Sequence, residues 1–205
     1  MLMGIDLLER NGEIDWLNIN TNHIRFVYIM TTEGSSVENN SYKFNYQEAK
    51  KAGLLVGSYH WLHPRSDSKQ QADFFCRTAR NEKGDLPPAV CLELHKPYSN
   101  DFEDRLQSFL EQVENQVGMK PVIYTSEKYW KKYLPNAAWV CDYPLWIDNP
   151  GPIWPGQMFP WAGWTVWQFS FRAELPRIDS KLGLNWFNGD EQDLIDLTKN
   201  QLEKR

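Results

Sequence analysis

Glu93 stands at the far end of a short apolar run, Ala89-Val90-Cys91-Leu92, which follows Pro87-Pro88 and is stopped by His95 and Pro97. A strand of this kind, set between helical segments and ending in an acid, is how a barrel enzyme presents a catalytic group. The same pattern recurs along the chain. Asp6, Glu33, Tyr59, His60, Tyr124, Trp146, Asp148, Trp167 and Gln168 all lie in or just past other apolar, β-branched or aromatic runs. If those runs are the strands of one barrel, these side chains converge with Cys91 and Glu93 at its C-terminal rim. Burial of a carboxyl among aromatic rings raises its pKa. A protonated carboxyl beside a glycosidic oxygen is the general acid of sugar hydrolysis.

The elements that must position these groups can be read in order. Strands are predicted at Gly4 to Leu8, Arg25 to Thr31, Leu54 to Tyr59, Ala89 to Leu92, Pro121 to Thr125, Leu145 to Ile147, Trp164 to Phe169 and Leu184 to Phe187. A short helix begins at Ile14. Tyr42 to Ala52 is a helix with Phe44, Ala49 and Ala52 as its apolar positions, closed by Gly53. Ser66 to Glu82 is a helix with Ser and Asp caps, and Asn100 to Val117 is the clearest amphipathic helix, ended by Gly118. Lys128 to Leu134 and Asp190 to Leu202 complete the helices. Strands and helices alternate at least five times, which makes the chain α/β with a parallel sheet, closed into a TIM-like barrel. No helix is predicted between the sixth and seventh strands. A Pro/Gly/Trp loop from Asn149 to Gly163 stands there, so the last third of the barrel is irregular.

Composition narrows the function. The 205 residues suit one domain, 1–205, and 41% hydrophobic with 24% charged residues is a globular balance. No apolar run approaches the ~20 residues of a membrane span, and the N-terminus has no signal-like pattern, so cytosolic synthesis without a leader is expected. Release by lysis or a non-classical route follows if the target is a cell wall. Net charge is −5 with no dense basic run, which excludes a nucleic-acid footprint. Cys76, Cys91 and Cys141 are an odd count without a CxxC pair, so reduced thiols are expected and neither a disulfide framework nor a metal site. Ten tryptophans are the unusual number, and their density from Trp139 to Trp167 suggests flat faces for sugar rings.

At this point the chain resembles glycoside hydrolase family 25, the muramidases typified by fungal and phage lysozymes. The resemblance runs from Gly4 to about Leu197. It is carried by Gly4-Ile5-Asp6, Gly12 to Trp16, Phe26 to Gly34, Ala49 to Leu54, Gly57 to Trp61, Leu86-Pro87-Pro88, Pro121 to Thr125, Leu145 to Ile147, Trp164 to Phe169 and Leu184 to Gly189, in the family's order. It implies a (β/α)5β3 barrel whose last strands lack helices. It implies Glu93 as the general acid, with the family's first-strand aspartate surviving as Asp6, a supporting acid, and its second-strand glutamate as Glu33; with Glu33, the rim residues Tyr59, His60, Tyr124, Trp146, Asp148, Trp167 and Gln168 are expected to bind substrate. The substrate implied is peptidoglycan or a related glycan, cut at the β-1,4 linkage after N-acetylmuramic acid by a monomer without cofactor, nucleic acid or membrane.

The chain also departs from the family. The family's fourth strand ends in aspartate, any residue, glutamate, and here the aspartate position is Cys91. A second family aspartate, two residues before the Asn of the last strand, is replaced by Gly183. Leu8, Glu9 and Arg10 replace a serine, histidine and tryptophan, and Met30 replaces a lysine. A neutral thiol supplies no fixed negative charge. Loss of a stabilising charge typically costs about 10²-fold or more in rate. Impaired activity is therefore expected. The alternative is an inactive relative serving as a glycan-binding or structural module, in a phage-associated setting. A shifted reading puts Glu93 at the aspartate position and His95 at the glutamate position. A Cys91/His95 nucleophile pair would span ~13 Å along a strand, too far to share a proton.

Overall fold

Every second side chain of the barrel strands points into one lumen, and the intervening ones point out to a surrounding shell. The computed structural model describes residues 1–19, 23–93, 101–174 and 181–199. His95 and Pro97 lie outside the described residues, as do Asn100 and the end of the closing helix. The strands are β1 (Leu2–Leu7), β2 (Ile24–Glu33), β3 (Val37–Glu38), β4 (Leu55–Trp61), β5 (Ala89–Cys91), β6 (Val122–Thr125), β7 (Leu145–Asp148), β8 (Val166–Ala173) and β9 (Leu182–Phe187). All but β3 close an eight-stranded barrel in the order β1-β9-β8-β7-β6-β5-β4-β2, sealed by pairing of β1 with β2. β3 is a two-residue antiparallel addition to β2. Neighbours from β1 through β8 run parallel, while β9 is antiparallel to both β8 and β1. The expected (β/α)5β3 pattern is the one observed.

The lumen below the rim is filled by large rings and small aliphatics, among them Phe26, Tyr28, Val122, Trp146, Val166 and Phe187. Two glycines make room for them. A Cβ on Gly4 would stand 2.3 Å from the Phe26 ring, and one on Gly57 would stand 2.2 Å from the Tyr28 ring. These glycines recur in the motifs quoted above because a packed lumen has no space for a further carbon.

Helices cover the outer face of half the barrel. They are α1 (Tyr42–Lys51), α2 (Ser68–Thr78), α3 (Phe102–Val117), α4 (Glu127–Tyr133) and, after the last strand, α5 (Glu191–Leu197). Asp67 caps α2 by accepting from the Gln70 N–H, and Gly118 ends α3 in the left-handed conformation at φ 79°. The inner face of α1 is Tyr42, Asn45, Tyr46 and Ala49, while Phe44 is exposed, which corrects the expected apolar face. Phe102, Leu106, Phe109, Leu110 and Val113 of α3 pack with Phe75 of α2 over Val90 and Leu92.

No helix covers β7 to β8, and the tryptophan-rich loop does that work. Trp161 lies against Trp130 of α4 with ring centroids 4.6 Å apart and donates its indole N–H to the Tyr143 carbonyl at 2.8 Å. Trp154 and Trp164 pack on Trp167 at 5.6 and 5.9 Å. Much of this aromatic density stands in for missing helices, while Trp146 of the same stretch faces the lumen. Among the described residues no helix is long and apolar enough to cross a membrane.

Candidate active site

Alternation decides which rim side chains can meet. Tyr59 and Trp61 of β4, Cys91 of β5 with Glu93 just beyond it, Tyr124 of β6, Trp146 and Asp148 of β7, Gln168 of β8 and Asp6 of β1 all face inward. They line one cleft of about 280 Å³, to which Leu8, Arg10 and Phe171 also contribute.

The floor of the cleft is a directed chain of hydrogen bonds ending on Asp6. Trp146 donates its indole N–H to Asn185 Oδ1 at 2.8 Å, and Asn185 Nδ2 donates to Asp6 Oδ1 at 2.7 Å. From the other side the Tyr124 hydroxyl donates to Gln168 Oε1 at 2.7 Å, and Gln168 Nε2 donates to the same Asp6 oxygen at 2.6 Å. Burial raises the Asp6 pKa, and the two amide donors and the Arg10 charge offset part of that rise. The Tyr59 hydroxyl is fixed on the Leu7 carbonyl at 3.1 Å.

Gly183 faces this carboxyl directly, in antiparallel register with Asp6. A Cβ at residue 183 would come 1.9 Å from Asp6 Oδ1. The space of a side chain at 183 is thus already filled by the Asp6 carboxyl, and any side chain there has to displace it.

Glu93 is held from outside the cleft. Its Oε1 accepts from the Ser126 backbone N–H at 2.5 Å and from the Thr125 hydroxyl at 3.1 Å. Ser126 is the cap of α4, and its own Oγ accepts from the Tyr129 N–H. Cys91 is buried beside it. Burial pushes that thiol well above its usual range, and the charges of Glu93 and Asp148 push it further, so it is neutral near pH 7. Asp148 is pushed up to about 7, first by burial and then by repulsion from Glu93 and Asp6, with the Tyr124 hydroxyl offsetting part of the rise. Asp148 Oδ1 and Trp61 Nε1 are buried and have no hydrogen-bond partner among the described residues.

Three of the expected substrate-binding residues do not line this cleft. His60 points outward, stacked on Phe109 with centroids 5.0 Å apart, its Nδ1 2.8 Å from Thr32 Oγ1 and its Nε2 3.3 Å from Gln71 Oε1. Trp167 also points outward, donating to the Asn149 carbonyl at 2.8 Å and anchoring the aromatic loop. Both corrections have one cause. Tyr59 and His60 are consecutive in a strand, as are Trp167 and Gln168, so only one of each pair can face the lumen. Glu33 ends β2 level with Trp61 but is not among the residues that line the cleft. Trp61, Arg10 and Asn185 were not among the expected site residues. Alternation from Tyr59 points to Trp61, whereas Arg10 lies past a strand end where no periodicity applies.

Burial without a charged partner lowers the His60 pKa from 6.5 to about 3. The unfolded chain therefore binds the proton that the folded one refuses. The stability held by neutral His60 is complete above about pH 6.5 and is lost as pH falls toward 3. Between pH 7.5 and 4.5 the wild type should lose about 2–3 kcal/mol more than a His60→Gln variant, read from denaturant midpoints at the two pH values.

Comparison with known proteins places this geometry. Residues 5–178 match the model of the family described as glycosyl hydrolases family 25. The chain is 29% identical to the uncharacterized protein YegX of Escherichia coli O157:H7, over 93% of this chain and 71% of that one. It is 26% identical to lysozyme M1 of Streptomyces globisporus, over 97% of this chain and 72% of that one. Among solved structures, the bacterial lysozyme from Streptomyces coelicolor superposes with a TM-score of 0.90 at 24% identity, covering 97% of each chain. A family 25 glycosyl hydrolase from Bacillus anthracis superposes with a TM-score of 0.85 at 25% identity, covering 96% of this chain and 93% of that one. At such identities the superpositions speak to the fold.

Proposed function

We propose that this chain, which belongs to glycosyl hydrolases family 25, is a slow muramidase that binds the glycan strand of peptidoglycan across its rim cleft and cuts it after N-acetylmuramic acid. The observation that carries this reading is the presentation of Glu93 in one cleft with Asp6 and Asp148. Glu93 protonates the glycosidic oxygen, the bond from that oxygen to the anomeric carbon breaks, and its electron pair stays on the departing sugar. Water then adds its oxygen to the anomeric carbon and returns a proton to Glu93, so one water is consumed per cut. Asp6 is already engaged by Gln168 and Asn185, and supports the floor of the site.

The slow rate follows from Cys91. A neutral thiol at the strand end leaves the developing positive charge with one fewer anion, worth about 10²-fold in rate. The test is incubation of the protein with purified peptidoglycan and mass spectrometry of the soluble products. Release of muropeptides ending in reducing N-acetylmuramic acid is expected, at a rate well below that of an ordinary lysozyme. Binding to the insoluble glycan with no release would favour the other reading, a glycan-binding relative, for which the neutral Cys91 speaks.

A further inference from the structure

We propose that Asp148 is the second catalytic carboxyl of this cleft, acting with Glu93 in place of the charge that Cys91 does not carry. The inference rests on the muramidase reading above and names a residue that completes it.

The placement comes from the strand order. Asp148 ends β7 on the lumen side, level with Gln168 of β8, and lines the same cleft as Glu93 and Cys91. Its Oδ1 is buried and has no hydrogen-bond partner among the described residues. Buried polar atoms in folded proteins are almost always satisfied, and an orphan facing a cavity points to something that completes it on binding. Asp6 is different. Its Oδ1 already accepts from Gln168 and Asn185, so that carboxyl is committed to holding β1, β8 and β9 together. Glu93 is committed at Oε1 to Ser126 and Thr125. Asp148 is held by the Tyr124 hydroxyl, yet its Oδ1 is buried and has no partner among the described residues.

Asp148 is raised by burial and by the neighbouring charges of Glu93 and Asp6. The repulsion between Asp148 and Glu93 shows that the two carboxyls face each other across the cleft. Hydrolysis of a glycoside needs one carboxyl protonated and one ionised. In the form with the proton on Glu93, that proton passes to the glycosidic oxygen as its bond to the anomeric carbon breaks. The Asp148 carboxylate faces the positive charge that develops on the sugar. Water supplies the new oxygen at that carbon and reprotonates Glu93, while Asp148 stays ionised.

The experiment compares muropeptide release by wild type, Asp148→Asn and the double variant Cys91→Asp with Asp148→Asn, each also assayed for sedimentation with insoluble peptidoglycan and for its melting midpoint. Asparagine keeps the shape of the side chain and disturbs no hydrogen bond at Oδ1, so the single variant should melt and sediment like the wild type. Its release rate should fall about 100-fold or more. Return of at least about tenfold of that loss in the double variant would show that a negative charge is the missing element. If Asp148→Asn keeps more than about a third of the wild-type rate, Asp148 has no such role. If the wild type itself releases nothing, the muramidase reading falls instead, a different result from an active wild type matched by an active variant.

Discussion

Glu93→Gln should lower muropeptide release by about 10³-fold while leaving the melting midpoint and peptidoglycan sedimentation near those of the wild type. Both hydrogen bonds that Glu93 receives, from the Ser126 N–H and the Thr125 hydroxyl, end on Oε1. A glutamine carbonyl oxygen accepts both, so the start of α4 stays tied to the end of β5. What glutamine cannot do is give up a proton to a leaving oxygen. Glu93→Ala would lose the tie as well as the proton, and a fall in activity there would have two explanations. The glutamine variant separates them. Retention of more than about a tenth of the wild-type rate in Glu93→Gln would remove Glu93 from the chemistry.

Asp6→Ala should be the most destabilising single change in the cleft, by about 2–5 kcal/mol, read as a fall in the denaturant midpoint. It leaves the buried donors Gln168 Nε2 and Asn185 Nδ2 without their acceptor at the floor of the cleft. Each stranded donor costs about 1–3 kcal/mol. Asp6→Asn tests the account sharply. Both donors use the same Asp6 oxygen, and an asparagine carbonyl can replace it, so this variant should stay within about 1 kcal/mol of the wild type. Equal losses in the two variants would show that the carboxylate charge, and not the acceptor, holds the floor together.

Much of this was legible in the residues. The eight barrel strands and the lack of a helix between β7 and β8 follow from apolar runs, caps and breakers, because such signals are local, whereas the antiparallel seat of β9 between β8 and β1 does not. The convergence of Asp6, Glu93, Tyr124, Asp148 and Gln168 on one cleft follows from strand ends in a parallel barrel. His60 and Trp167 went astray because strand-end position was applied without the two-residue alternation that sorts inside from outside. Ring density alone does not separate the two uses of the tryptophan-rich stretch, since Trp146 faces the cleft while Trp161 and Trp167 pack outside the sheet. The opposition of Asp6 and Gly183 was not legible at all. It depends on the register between the first and last strands, and no local pattern encodes that.

The reversed direction of β9 has a kinetic consequence. Asp6 finds Asn185 across 179 residues of chain and Gln168 across 162. Such contacts have among the longest loops to close in the molecule, and loop entropy must be met before they yield anything. A chain emerging from the ribosome can pack β2 through β7 with their helices while its first strand still lacks a partner on one edge. The acceptor at Asp6 is satisfied, and the cleft acquires its floor, only when the final strand threads back between β8 and β1. Contacts of such separation are expected to form late, so the floor of the site should be completed after the strands between β2 and β7 have paired.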